Sequence, residues 1–211
     1  METNRSAEAV LISRVELDAD AQVFADIAAV QAELATAFQL LADGVRESST
    51  GFLISAYKPE DFREFIRGGG LVLGARTAER GPLVGYLLAN SGAAFLANHP
   101  ATKILWDDAA SEAGYGALYT AGHFSYLDQI GVARSFHGSG VAQALHRRFL
   151  EIVPRPILAA VVQEPLRNTR STVFFKNLGY HQIGMFHTAE LKGLRDVRSA
   201  VLALDGTSAG P

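Results

Sequence analysis

Residues 9–16, AVLISRVE, carry the β-branched alternation of a strand. Beyond Asp20, the residues Val23, Ile27, Val30, Leu34, Phe38 and Leu41 recur at steps of three or four, the period of one helix laying an apolar stripe on a sheet. Asp20 can cap that helix and Gly44 can end it. KPEDFREFIRGGG opens with Pro59 and two acids and closes in three glycines, which predicts a second, short helix. LVLGART (71–77) and PLVGYLLAN (82–90), joined by the turn-forming AERG, predict an antiparallel hairpin. Residues 91–122 hold no sustained period and are expected to form a helix-containing insertion. HFSYLDQIGVA (123–133) reads as a strand. A helix through about residue 152 follows it, with Val141, Leu145 and Phe149 on one face. A buried-type strand at 157–163, a short helix at 168–177 closed by LGY, and strands at 180–188 and 198–204 complete the chain. The order β, α, α, β, β, insertion, β, α, β, α, β, β predicts an α/β or α+β fold with a mixed sheet.

With 211 residues, the chain suits one sizeable core, and a single domain over 1–205 is expected, with a disordered tail at 206–211. A composition of 48% hydrophobic and 19% charged residues is that of a globular protein. A formal charge of −3 lacks the Lys/Arg excess that nucleic-acid binding requires, so no nucleic-acid partner is expected. The chain has no cysteine, which removes disulfides, thiolate metal sites and a cysteine thioester. The N-terminal METNRSAEAV has no signal-like apolar core, and no uninterrupted apolar run has the length of a bilayer span, so the expectation is a cytoplasmic protein without membrane association. The six histidines form no HExxH or other ligand-spaced cluster, and no metal is expected.

The candidate chemistry lies at SFHGSGVAQALHRRFL (135–150), where two glycines precede an amphipathic helix that follows a strand. Such a helix start carries unpaired amides and the positive end of the helix dipole, and glycines let an anion approach. No lysine follows as a Walker loop requires, Gln143 stands where a dinucleotide fingerprint needs a third glycine, and His137 and Val141 replace the glycines of a serine-hydrolase elbow around Ser139. The one GxSxG match, around Ser208, lies at the chain end with no helix after it.

His137-Gly138-Ser139-Gly140-Val141-Ala142 resembles the pyrophosphate-binding signature of the GNAT superfamily of N-acyltransferases, Arg/Gln-x-x-Gly-x-Gly/Ala, with His137 departing at the first position. Asn168, Ser171, Phe174, Phe175, Gly179 and Tyr180 resemble the family's later N-x-x-A/S-x-x-L/F-Y-x-x-x-G-F helix. GFLISAYKPEDFREFI and GPLVGYLLA resemble its front half, so the likeness covers roughly residues 50–205. The resemblance implies a mixed, mostly antiparallel sheet flanked by helices and splayed between its fourth and fifth strands, with acetyl-CoA or another acyl-CoA in the cleft. It further implies that the Ile130, Gly131 and Val132 backbone pairs with the pantetheine arm. The loop from His137 through Gly138, Ser139, Gly140 and Val141 to Ala142 would hold the pyrophosphate, and Asn168 and Phe175 would lie along the CoA chain.

The implied reaction is transfer of an acetyl or other short acyl group to a primary amine of a small molecule or peptide. Many members place a proton-donating tyrosine where this chain has Phe175. Tyr126 and Asp128, two apart on one strand and so on one face, are the candidate acid and base. Each also has a plain reading, Tyr126 as a half-buried strand aromatic and Asp128 as a hydrogen-bonded edge residue. Asp107, Asp108 and Glu112 could attract a cationic amine or form a solvated loop face. The alternative function is an acyl-CoA-binding module without turnover. A homodimer is left open beside a monomer.

Overall fold

The computed structural model describes residues 10–54, 56–99 and 103–206. Most of the tail expected to be disordered, from residue 207 on, and residues 1–9 lie outside the described residues. In chain order the strands are β1 (Leu11–Arg14), β2 (Glu47–Ser48), β3 (Leu71–Arg76), β4 (Leu83–Ser91), β5 (Ile104–Trp106), β6 (Ser125–Val132), β7 (Ile157–Glu164), β8 (Arg167–Asn168), β9 (His181–Leu191) and β10 (Leu194–Leu204). The helices are α1 (Ala21–Leu34), α2 (Ala37–Ala42), α3 (Pro59–Arg67), α4 (Gly92–Asn98), α5 (Asp108–Glu112), α6 (Tyr115–Thr120), α7 (Val141–Leu150) and α8 (Thr169–Asn177).

Eight strands hydrogen-bond in the order β1-β3-β4-β6-β7-β10-β9-β5, and β2 and β8 form a short parallel pair. β1 with β3, β3 with β4, β7 with β10, β10 with β9 and β9 with β5 are antiparallel. β6 and β7, the fourth and fifth strands of the predicted order, run parallel. Their ladder covers Ser125 to Leu127 against Ile157 to Ala159, whereas β6 runs on to Val132 and β7 to Glu164.

Contacts divide the chain into two compact units. The first falls within 1–35, 55–89 and 128–153, the second within 36–54, 90–127 and 154–211. In the first, Phe24, Ile27 and Val30 of α1, Phe62 of α3, Leu73 of β3, Tyr86 and Leu87 of β4, and Leu145 and Phe149 of α7 are buried. Asp20 caps α1 by accepting from the Gln22 N–H at 2.9 Å, and Asp61 at the third position of α3 accepts from the Lys58 N–H at 2.9 Å. In the second unit, Phe95, Tyr115, Phe124, Tyr126, Leu158, Ile183 and Val201 share one cluster, and Ala37, Phe52 and Leu166 share another.

Three expectations change. The single helix over 20–44 is two helices, interrupted at Ala35 and Thr36 where the chain passes from the first unit to the second. Ala21–Ala42 is long and apolar enough to cross a membrane by length and mean hydropathy, yet Phe24, Ile27, Val30 and Leu34 bury their side chains within the fold, as does the polar Gln31. The insertion at 91–122 contains α4, β5, α5 and α6 among its described residues, with β5 pairing β9. The last two strands extend beyond the predicted 188 and 198 into a long hairpin. It is closed by Lys192 and Gly193, at φ 50° and 89°, the two positive angles that a tight hairpin turn of this hand needs.

Candidate active site

The loop between β6 and α7 is held from below. The Ala133 N–H donates to the Val84 carbonyl of β4 at 2.9 Å, and the Arg134 N–H donates to Glu33 Oε1 at the end of α1 at 2.8 Å. A short turn follows at Arg134–Phe136, and Ser139 Oγ donates back to the Phe136 carbonyl at 2.6 Å. His137, the residue that departs from the family pattern, places ring Nε2 2.9 Å from the Val132 carbonyl, so its ring braces the loop. Gly138 and Gly140 take φ 80° and 87°, and a Cβ on either would meet nothing within 4 Å. Backbone conformation, not crowding, therefore demands glycine at both, and the space outside them is open.

Gly140 begins α7 and no side chain caps that start. The first-turn amides of an α-helix have no intrahelical acceptor, so Val141 and Ala142 present N–H groups at the positive end of the helix dipole. Val141 itself is 2% exposed and anchors the turn to the core, while Ala142 is half-buried.

The same unit organises the end of β6. A Cβ on Gly131 would lie 2.4 Å from Cε1 of Tyr86, so the ring packs directly on the glycine backbone. The Tyr86 hydroxyl donates to Gln129 Oε1 at 3.1 Å, Gln31 Nε2 donates to the same oxygen at 2.8 Å, and Gln31 Oε1 accepts from the Tyr57 N–H at 2.7 Å. The Tyr57 hydroxyl donates to Asp128 Oδ2 at 3.1 Å. Burial, then the charge and hydrogen bond of Asp128, push the Tyr57 phenol well above its usual 10. Burial likewise dominates at Tyr86 and pushes it up, with the charge of Asp128 adding to the rise and the Gln31 amide opposing it. Both phenols are therefore fixed as neutral donors near neutral pH.

Tyr57, Tyr86, Gln31 and Gln129 were not among the residues singled out from the sequence. One signal was present: Gln31 occupies a core-facing position between Val30 and Leu34, and a fully buried polar side chain requires partners.

The remaining predicted residues are placed in the second unit, save Ile130 and Val132, which continue β6 beside Gly131. Tyr126 is 8% exposed, and its ring centroid lies 4.0 Å from that of Phe95. Asn168 is buried at the start of α8, where Oδ1 accepts from the Ser171 N–H at 3.1 Å and Nδ2 donates to the Phe52 carbonyl at 3.1 Å. Phe175 is buried against Tyr180 in an edge-to-face contact at 4.9 Å. Asp107 caps α5 through the Ala110 N–H at 2.7 Å, while Asp108 and Glu112 are exposed on that helix. Among the described residues no group of three or more His, Asp or Glu is placed to hold a metal ion.

No family model matches the sequence, and a search of curated proteins finds no significant match. Solved structures do match over nearly the whole chain. An N-acetyltransferase from Staphylococcus aureus Mu50 superposes with a TM-score of 0.56 at 14% identity, over 93% of this chain and 98% of the other. A GNAT superfamily phosphinothricin acetyltransferase from Sinorhizobium meliloti, in complex with AcCoA, gives 0.53 at 14%, over 96% of this chain and 92% of the other. The chain has the GNAT fold. Arabidopsis thaliana NAA60, in complex with a bisubstrate analogue, shows the same likeness, with a TM-score of 0.53 at 14% identity over 95% of this chain and 100% of the other. At such identities the shared property is the GNAT fold, and the chemistry of this chain has to be argued from its own residues.

Proposed function

We propose that the chain is an acyl-CoA-dependent N-acyltransferase that moves an acetyl or other short acyl group directly to a primary amine of a small molecule or peptide. The start of α7 carries the reading, because an uncapped helix N-terminus behind two positive-φ glycines with open outward sides is built for an anion. The AcCoA in the Sinorhizobium structure and the bisubstrate analogue in the Arabidopsis one support acyl-CoA as the anion's source and an amine as the acceptor.

On this reading the amides from Gly138 to Ala142 hold the pyrophosphate, and the Ile130 to Val132 backbone pairs with the pantetheine arm. Acyl-CoA supplies an activated thioester carbonyl. Asp128 takes a proton from the acceptor ammonium, the amine nitrogen bonds to the carbonyl carbon, and the carbon–sulfur bond breaks with its electron pair leaving on the thiolate. Asp128 is preferred to Tyr126 as the base because it is only half-buried and already partnered by a phenol, whereas the Tyr126 ring is packed on Phe95.

A second reading, an acyl-CoA-binding module without turnover, is favoured by Phe175, a buried ring with no proton to give at the family's usual tyrosine position.

Acetyl-CoA at about 100 times its Kd should stabilise the protein by ~2.7 kcal/mol. Gly140→Glu should abolish that gain, since it puts a carboxylate where the pyrophosphate would lie; retained stabilisation would show that the loop is not the site. Free-thiol release from acetyl-CoA across a panel of amines separates enzyme from module.

A further inference from the structure

The acyl-transfer reading leaves one half-buried device at β6 unexplained. Tyr57 reaches Asp128 from the segment before α3, and it is held at two points: its hydroxyl donates to Asp128 Oδ2 at 3.1 Å and its backbone N–H to Gln31 Oε1 at 2.7 Å. Gln31 is fully buried and its other end donates to Gln129, the neighbour of Asp128, at 2.8 Å. One glutamine thus fixes both the main chain that carries the phenol and the strand that carries the carboxylate. The Tyr57 ring sits 5.8 Å from Phe62 and 6.3 Å from Phe65, contacts that a phenylalanine would keep. The hydroxyl is therefore not explained by packing.

We propose that Tyr57 is the positioning residue of Asp128, holding its carboxylate ionised and in one orientation for an acceptor that arrives as an ammonium ion. The proposal takes its chemistry from the acyl-transfer reading; its geometry stands independently. A hydrogen bond donated to a carboxylate favours the ionised form. The donor keeps its proton, because burial and the charges of Asp128 and Asp61 hold the Tyr57 phenol well above its usual 10. The charged and titratable groups acting on the Tyr57 phenol are Asp128 and Asp61 of α3, Asp128 and Tyr57 act in turn on Tyr86 of β4, and neither phenol titrates near neutral pH.

The test is carbon-13 NMR titration of the Asp128 carboxyl, assigned with Asp128→Asn, in the full-length protein and in Tyr57→Phe. Loss of the hydroxyl should raise the Asp128 midpoint by about one pH unit; an unmoved midpoint overturns the proposal. In the unsubstituted protein the Tyr57 Cζ resonance should follow the same midpoint, and a flat response overturns it without any variant. With acetyl-CoA and a reactive amine, Tyr57→Phe should move the acidic limb of kcat/KM upward by the same amount and leave acetyl-CoA affinity unchanged. It should slow Asp128→Asn no further than about twofold, and an independent loss in that background refutes action through Asp128. Absence of turnover in the parent defeats the acyl-transfer reading instead, while the NMR titration still decides between Tyr57 and no device at all.

Discussion

Gly131→Ala should be among the most damaging single-methyl changes in the chain. The added Cβ would lie 2.4 Å from Cε1 and 2.8 Å from both Cζ and the hydroxyl oxygen of Tyr86. A flexible exposed side chain could step aside, but Tyr86 is fully buried and tied to Gln129 at 3.1 Å. Forcing the ring away costs roughly 1–3 kcal/mol in overpacking. Separating a buried phenol from its acceptor adds roughly 1–3 kcal/mol. The sum, roughly 2–6 kcal/mol, corresponds to a Tm drop of roughly 4–24 °C at this chain length. Urea unfolding followed by tryptophan fluorescence and far-UV circular dichroism measures it, with a shifted midpoint and an unchanged m-value expected. Tyr86→Leu supplies the control, because in that background the methyl has no ring to meet and Gly131→Ala should cost at least ~1 kcal/mol less. A Gly131→Ala protein within ~0.5 kcal/mol of its parent, or one equally damaged in both backgrounds, would show that the glycine is not there to admit Tyr86.

Asn168→Ala should lose about 2–4 kcal/mol with no ligand present, since it removes both the α8 cap and the buried bond to the Phe52 carbonyl; a loss seen only as weaker acetyl-CoA binding would contradict that framing role. Asp20→Ala, which removes only an exposed cap, should cost about 1 kcal/mol in thermal unfolding. Alkaline pH should destabilise the fold. Burial holds the phenols of Tyr57, Tyr86, Tyr115 and Tyr180 above their usual 10, so the unfolded chain releases protons that the fold retains. Their stabilisation is complete below about pH 10 and is lost as pH rises through the folded values. Absorbance at 295 nm should show these phenolates appearing with unfolding; their ionisation in the intact fold would count against the burial.

What was legible in the sequence follows periodicity. α1, α3, α7 and the β3–β4 hairpin announce themselves because a 3.6 or 2 residue repeat records one buried face, and Gly138 and Gly140 because a left-handed backbone angle leaves few other residues usable. Residues 91–122 stayed opaque because α4, α5 and α6 are each too short to repeat a period, and β5 is three residues long. The polar cluster at the candidate site was hidden for another reason. Gln31 and Gln129 are 98 residues apart, and Tyr57 and Asp128 are 71 apart, so nothing local marks either pair. Only Gln31, a polar residue on an apolar stripe, betrayed a buried partner.

The missing tyrosine at Phe175 looks at first like the weak point of an acyl-transfer reading, but the proton ledger puts the demand elsewhere. An alkyl ammonium with a pKa of about 10.4 must give up a proton before it can attack, and populating the free amine at pH 7 costs roughly 4–5 kcal/mol. A departing thiolate whose thiol has a pKa near ~8.5 needs no acid in order to leave, and its later protonation from water at pH 7 is favourable by about 2 kcal/mol. A phenol held above 10 would be a poor acid for that thiolate in any case, which also removes Tyr57 from the role of donor to sulfur. The step that needs help is therefore deprotonation of the amine. On the acyl-transfer reading, the Asp128 carboxylate held by Tyr57 would serve that more demanding half of the proton transfer, and phenylalanine at 175 leaves only the less demanding half without a side chain. On these magnitudes, Asp128→Asn should slow transfer to amines of high pKa far more than transfer to weakly basic amines such as anilines. An equal loss across both classes would mean that Asp128 is not the proton acceptor.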